Sequence, residues 1–471
     1  MLKINEIEPR EVFKYFEEIS QIPRGSGNTS KIADYLVEFA VKYNLEHYRD
    51  EMNNVIIIKE AAIGLENAPA VIIQGHSDMV CEKTADCQKD MTMDGLDLAV
   101  EGDYLYAEGT TLGGDDGIAV AYALALLADE ESRYPRLEVI ITVDEEIGLL
   151  GASFIDLSML KGKWLLNIDS EEEGIFTAGC AGGLTAHCKF DITTCSNTKP
   201  TYKITLEGLV GGHSGVEINK YRANANKLIG RILASVDGVS LVSISGGKRD
   251  NVIPSRAEAL VACDEIDVAE IESILKNEYK NTDPELKITV EKAETSPVVF
   301  DDESTKRVLG LLCTMPNGIR NMYPESGLVK TSLNMGVLNA GKDGVEIGYS
   351  VRSSVESEKY VLVDELKMFA EINGGEVEIS GDYCGWDFKD NSSLRDIMCD
   401  VFRRQYGKDP VIDVIHAGLE CGMLSSKIDG LDCVSFGPNM LDIHTPKEKL
   451  SISSAKRVWE FIKEVLREIG K

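Results

Sequence analysis

Five short strings carry the side chains best suited to holding metals and moving protons. They are His76 and Asp78 in QGHSDMV, Asp115 and Asp116 in LGGDDGIAV, Glu145 and Glu146 in VDEEIG, Asp169 in NIDSEEEG, and His444 in MLDIHTPKEKL. Each has an ordinary explanation when taken alone. The aspartate pair could cap the following helix, the glutamate pair could be a solvated turn, and a single histidine is commonly a hydrogen-bonded structural residue. The chain has only six histidines, however, and three of them stand in glycine-flanked or loop-like strings beside carboxylates. Two histidines with three carboxylates form a mixed nitrogen and oxygen set that suits zinc, manganese or cobalt, whereas calcium and magnesium prefer oxygen alone. If one carboxylate bridges two cations, each keeps a histidine and a further carboxylate, with positions open for water and the ions about 3.5–4 Å apart.

Something must bring such distant residues together. Up to about Gly183, apolar runs (NNVIIIKE, APAVIIQG, LEVIITVD, KWLLNID) alternate with helical patterns such as GIAVAYALALLADE, which predicts an α/β domain with a mainly parallel sheet and helices on both faces. Runs apolar throughout suit strands buried on both faces. The acidic and histidine strings lie just beyond these strands or open a helix beside one, and ligands of open α/β sheets gather outside the carboxyl ends of strands. His444 follows a further predicted strand, LDCVSFGP, so the catalytic sheet is expected to be completed by residues 384–471. Between them, residues 184–383 change to alternating strands and helices and predict an inserted α+β lid or dimerisation domain. After the strand TYKITLEG it runs as a helix near Ala223–Ala234 and strands near Ser255–Ala262 and Lys287–Ala293, and a similar order of helix, strand, strand, helix and strand follows from Glu303, which suggests two related halves. SLRDIMCDVFRRQYG and SSAKRVWEFIKEVLREI read as helices, the second strongly amphipathic.

Bulk properties narrow the partners. With 471 residues, 43% of them hydrophobic, the chain can bury a large core without staples, so a metal here would serve chemistry. A net charge of -30 opposes nucleic acid or an anionic membrane as main partner. Eleven scattered cysteines without a C-x-x-C pair, and a start lacking the apolar core of a secretion signal, predict a reducing, cytoplasmic location. The longest apolar run, Ile118 to Ala128, falls short of the roughly 18 residues that suggest a membrane span.

The strings H-x-D, G-G-D-D-G, D-E-E-I-G, N-x-D-S-E-E-E-G, G-G-H-S-G, H-A-G-L-E-C-G and I-H-T-P, in this order, resemble the aminoacyl-histidine dipeptidase (cytosol non-specific dipeptidase) family. That family belongs to the larger group with carboxypeptidase G, the aminoacylases and succinyl-diaminopimelate desuccinylase. The resemblance implies that His76, Asp115, Glu146, Asp169 and His444 hold two divalent metals, most simply zinc, with manganese or cobalt as alternatives. Asp115 would be the bridge, followed by a cis peptide bond, while the role of Asp116 stays open. Glu145 would be the general base, and Asp78 would orient the His76 imidazole. His213, in LVGGHSGVEIN, would stabilise the oxyanion once domains or subunits close over substrate. Arg352 and Asn251 correspond to positions that hold the substrate carboxylate and the scissile carbonyl. An arginine fork suits a carboxylate because two parallel hydrogen bonds fix its plane. His416, Gly418 and Glu420 would line the pocket, with Glu420 placed to meet an amino group. The implied protein is a homodimeric metallo-dipeptidase acting on dipeptides, Xaa-His or of broad specificity. Its rivals are an N-acyl amino acid deacylase or desuccinylase, and a non-catalytic metal-binding relative.

Overall fold

The computed structural model describes residues 4–324 and 327–471, without the side chain of Asn5. The chain divides into two compact units, Met1–Gly179 with Phe388–Val414 and Leu419–Lys471, and Cys180–Asp387 with Ile415–Gly418. Each contains its own apolar core.

The first unit is built on an eight-stranded sheet. Its order is Glu46–Arg49, Val55–Lys59, Leu137–Thr142, Val71–His76, Trp164–Asn167, Asp432–Ser435, Ile175–Cys180 and Val411–Ile415. The third to sixth strands of that order run parallel. Antiparallel partners flank them, so the VIIIK strand expected in a parallel setting pairs antiparallel with its neighbours. The parallel strands are buried along nearly their whole length, which is why VIIQGH and LEVIIT read as continuous runs rather than alternating ones. Helices Arg10–Ser20, Gly114–Ala128, Ser393–Tyr406 and Ile452–Ile469 contribute to the core, while the short helix Glu420–Lys427 packs on Asp432–Ser435 and on Leu150–Phe154.

The closing helix starts where Ser451 accepts a hydrogen bond from the Ser454 amide, a serine N-cap. Its buried stripe, including Val458, Ile462 and Val465, repeats at three- and four-residue spacing. Trp459 stacks on Tyr122 with ring centroids 5.9 Å apart, and the Tyr122 hydroxyl donates to the Ala455 carbonyl at 2.7 Å. These contacts fasten the last helix to the one that carries Asp115. Truncating a buried tryptophan to alanine typically costs about 3–5 kcal/mol, so Trp459 is a principal tie between distant parts of the sequence.

The second unit is a nine-stranded antiparallel sheet with a repeated topology. Its first half consists of strand Thr201–Glu207, helix Ala225–Ala234, strands Ser240–Gly246 and Ala257–Ala262, helix Ala269–Glu278 and strand Lys287–Ala293. The other half follows the same succession with Gly182–Phe190, Asp302–Thr314, Val329–Gly341, Gly344–Ser353, Glu356–Ile372 and Gly375–Tyr383. In both, the strands lie in the spatial order last, first, third, second, and the two second strands pair with each other. The first half is thus nested between the opening strand and opening helix of the second. Each is a split βαβ unit, and sharing one sheet removes an edge from both.

Candidate metal centre

The parallel strands bring their carboxyl ends to one side, and the pairing register shows how closely. His76 is opposite Thr142, Asn167 is opposite Gln74, and Ser435 is opposite Asn167. The chain continues from these ends directly into Glu145 and Glu146, and into Asp169. Asp115 stands at the head of helix Gly114–Ala128, where Asp115 and Asp116 depart from helical geometry and their peptide bond is cis. His444 lies on a hairpin whose arms, Met440–Leu441 and Lys449–Ser451, join a small four-stranded sheet with Tyr104–Ala107 and Leu98–Glu101. These arms are too short to carry a periodic signal.

Asp115 lies between the two histidines. Its Oδ1 is 3.1 Å from His76 Nε2 and its Oδ2 is 3.0 Å from His444 Nε2. Asp169 Oδ1 is 3.5 Å from His76 Nε2, and Glu146 Oε1 is 3.0 Å from His444 Nε2. Two half-sites therefore share Asp115. His76 is buried and His444 is half exposed, so the pair opens on the His444 side. Burial of Asp169 pushes its carboxyl up to about 6. The Asp115 carboxylate that it touches and the nearby Glu146 carboxylate raise the His444 imidazole to about 10. A shell this acidic favours positive charge between its members. Glu146 Oε1 is buried and makes no hydrogen bond despite its nearness to His444, as suits a ligand oxygen. The donor set fits divalent cations of the zinc type.

The neighbours of these five side chains fix their orientation. Asp78 is fully buried; its carbonyl lies 3.1 Å and its carboxylate 3.4 Å from His76 Nδ1. The same carboxylate accepts hydrogen bonds from the Glu145 amide at 3.1 Å, the Glu146 amide at 3.4 Å and Ser26 Oγ at 2.8 Å. Burial disfavours its charge, yet His76, Ser26 and the Glu145 amide together leave its carboxyl below the usual range. Asp78 thus orients the imidazole and also the loop bearing Glu145. Burial, opposed by His76 and reinforced by Asp169, Glu420 and Glu146, raises the Glu145 carboxyl well above an ordinary glutamate. Asp116 accepts from the His76 amide at 3.2 Å through Oδ2, while its buried Oδ1 has no hydrogen bond. One of its carboxylate oxygens, a His76 ring nitrogen and an Asp169 oxygen lie within 4.8 Å of one another, close enough to share a cation, and a Cβ at Gly75 would fall 2.4 Å from its Oδ2. Asp144, Asp442 and His444 adopt positive φ, an uncommon state for residues other than glycine that here clusters in the loops carrying the acids and the second imidazole.

Glu420 is fully buried in the first unit, with Oε2 held by Gln74 and by Thr142 Oγ1 at 2.6 Å, and Oε1 without a hydrogen bond. Burial pushes its carboxyl up to about 7. Gly418 and His416, in the same H-A-G-L-E-C-G string, belong to the second unit. There His416 Nε2 lies 2.7 Å from Ser332 Oγ, and Ser332 is the register partner of Arg352. Arg352 is largely buried, donates to the Tyr383 hydroxyl at 3.1 Å, and leaves Nε unpartnered. Burial and then the Arg352 charge depress both His416, to about 3, and His213. His213 Nδ1 accepts the Gly215 and Val216 amides at 3.2 and 3.3 Å, so the ring proton resides on Nε2. Asn251 adjoins the same ribbon, its carbonyl accepting from the Ser214 amide at 2.9 Å, beside the pairing of Gly212–His213 with Val252–Ile253. His213, Asn251, Arg352 and His416 are therefore carried by one unit, and the five metal-binding candidates by the other.

Cytosol non-specific dipeptidase of Escherichia coli (strain K12) is 36% identical over 483 residues, covering 100% of this chain and 99% of the relative. The crystal structure of aminoacylhistidine dipeptidase from Vibrio alginolyticus matches with a TM-score of 0.93 at 36% identity, over 99% of this chain and 98% of that one. An aminopeptidase from Bacillus cereus shares the fold alone, with a TM-score of 0.59 and 15% identity over 99% of this chain and 100% of its own. The description Peptidase family M20/M25/M40 matches residues 72–468. With that match across most of its length and a full-length relative beside it, the chain belongs to peptidase family M20/M25/M40.

Proposed function

We propose that this protein is a metal-dependent dipeptidase whose centre holds two divalent cations, zinc in the first place, with manganese or cobalt as alternatives. The observation that carries the reading is Asp115, which directs one carboxylate oxygen toward His76 and the other toward His444. His76 and Asp169 would hold one cation, His444 and Glu146 the other, with Asp115 shared. Cations bound there would supply an activated water and polarise the peptide carbonyl. Glu145 takes the proton as the water oxygen bonds to the carbonyl carbon, then delivers it to the amine as the carbon–nitrogen bond breaks. His213, with its proton on Nε2, suits donation to the developing oxyanion. Arg352 clamps the terminal carboxylate by charge-assisted hydrogen bonds, a ruler that favours substrates with one residue beyond the cut. Asn251 is assigned to the scissile carbonyl, with His416 and Gly418 lining the pocket. Glu420, sealed against Gln74 and Thr142, is assigned to the substrate amino group through its free Oε1.

The two full-length relatives, a cytosol non-specific dipeptidase and an aminoacylhistidine dipeptidase, support the substrate class. The word cytosol in one name supports a cytoplasmic location, and no helix among the described residues is long and apolar enough to cross a membrane. A homodimer remains part of the reading. Hydrolysis of β-alanyl-histidine and a panel of ordinary dipeptides should exceed that of N-acetyl and N-succinyl amino acids by at least tenfold in kcat/KM. Preference for the acylated compounds would replace the dipeptidase reading by a deacylase.

A further inference from the structure

Two buried charges outside the ligand set hold its loops together. Glu448, four residues beyond His444, is almost fully buried, and its carboxylate accepts four consecutive backbone amides. Oε2 receives Leu112 N at 2.8 Å and Gly113 N at 3.0 Å; Oε1 receives Gly114 N at 2.7 Å and Asp115 N at 3.3 Å. Arg24, 1% exposed, grips the other side of the same turn by donating to the Gly113 carbonyl. Its second nitrogen donates to the carbonyls of Ser77 at 2.9 Å and Asp78 at 3.4 Å, directly after His76. Gly113, at φ +64°, is the only residue type this clamp admits without strain, since a Cβ there would fall 2.6 Å from Arg24 Nη2.

We infer that Arg24 and Glu448 are positioning residues for the bimetal centre, joining the His76, Asp115 and His444 loops into one preformed cradle. The inference rests on the metal reading above. Arg24 ties the His76 turn to the Asp115 turn, and Glu448 ties the Asp115 turn to the His444 hairpin, so the bridging aspartate is fixed from both sides. A ligand placed about 1 Å off loses much of its value, and partners that orient ligands commonly contribute 10- to 100-fold to metal affinity. The choice of groups is physical. A carboxylate offers enough lone pairs for four converging N–H donors, while a guanidinium forks to three carbonyls where an ammonium would be a point charge.

The test measures zinc dissociation constants of the apoprotein by competition with a chromophoric chelator, alongside apoprotein melting. Variants are Glu448→Gln, Glu448→Asp, Arg24→Gln and Arg24→Lys, with Ile462→Ala as a core control distant in role from the centre. Glu448→Gln turns an amide group toward two backbone donors and should weaken zinc binding at least tenfold, as should Arg24→Gln. Glu448→Asp and Arg24→Lys should each recover part of that loss, and they decide the matter if the amide variants do not fold. Ile462→Ala should lower melting with zinc affinity within about threefold of the unaltered protein. Variants that fold and bind zinc as tightly as the unaltered chain would overturn the inference, as would a control that loses affinity in proportion to its melting temperature. An unaltered chain that binds no pair of cations would instead overturn the metal reading itself.

Discussion

Glu145 and Glu146 are adjacent in sequence, and the different tasks assigned to them rest on what surrounds each. Glu146 Oε1 approaches His444, whereas Glu145 is assigned to the proton. Replacing Glu145 by glutamine keeps the shape and removes the proton acceptor. Metal content should remain at the unaltered level while kcat falls by about 10²–10⁴, the usual contribution of a general base; undiminished turnover would refute the assignment. For Arg352 the contrast is between substrates. Arg352→Lys should raise KM for dipeptides by about tenfold or more and leave dipeptide amides, which lack the carboxylate, within about twofold. Equal losses on both would show that Arg352 has no part in the ruler. The five ligand candidates were legible because their residue types are scarce and their strings end predicted strands. Arg24 and Glu448 were not: both work through backbone atoms, and nothing in IPRGSG or HTPKEK marks a side chain aimed at distant amides and carbonyls.

Secondary elements were legible in proportion to their length and periodicity. The helices Ile452–Ile469 and Ser393–Tyr406 and the buried strands coincide with the runs that predicted them. The small sheet that carries the His444 hairpin was silent, since strands of two to four residues give no periodicity. So was the flanking antiparallel pairing, because VIIIK is apolar whether its neighbours run with it or against it. The succession from Glu303 onward was readable, whereas the strand Ser240–Gly246 and the helix Ala269–Glu278 of the first half went unread, and nesting of one half within the other is a matter of pairing that only the sheet order reveals. One of its features has a pH consequence. Burial and the Arg352 charge hold His416 at about 3 in the folded state, against about 6.5 for an unfolded histidine. The unfolded chain binds the extra proton between those values, so this contribution to stability is complete above about pH 6.5 and is lost as pH falls toward 3. His416→Gln should therefore reduce the fall in melting temperature of the second unit between pH 7 and pH 4; an unchanged slope would contradict the placement.

At the scale of the whole molecule, the metal candidates and the residues assigned to substrate recognition fall in two units with separate cores. The metal candidates all belong to the first unit, so removing cations should act there. Calorimetry is expected to resolve two transitions, of which chelation lowers only one, while restored zinc returns both activity and that transition. At a free cation concentration a thousandfold above the dissociation constant, binding adds about 4 kcal/mol to the folded state. Equal displacement of both transitions would show that the units do not melt separately. The chain's net charge of -30 is consistent with cation uptake. The most direct measurement is anomalous diffraction from crystals grown with zinc, recorded on both sides of the absorption edge. The expected result is two sites about 3.5–4 Å apart, one held by His76 and Asp169, the other by His444 and Glu146, with the Asp115 carboxylate joining them. A lone site, or a pair that Asp115 does not touch, would contradict the shared-aspartate centre.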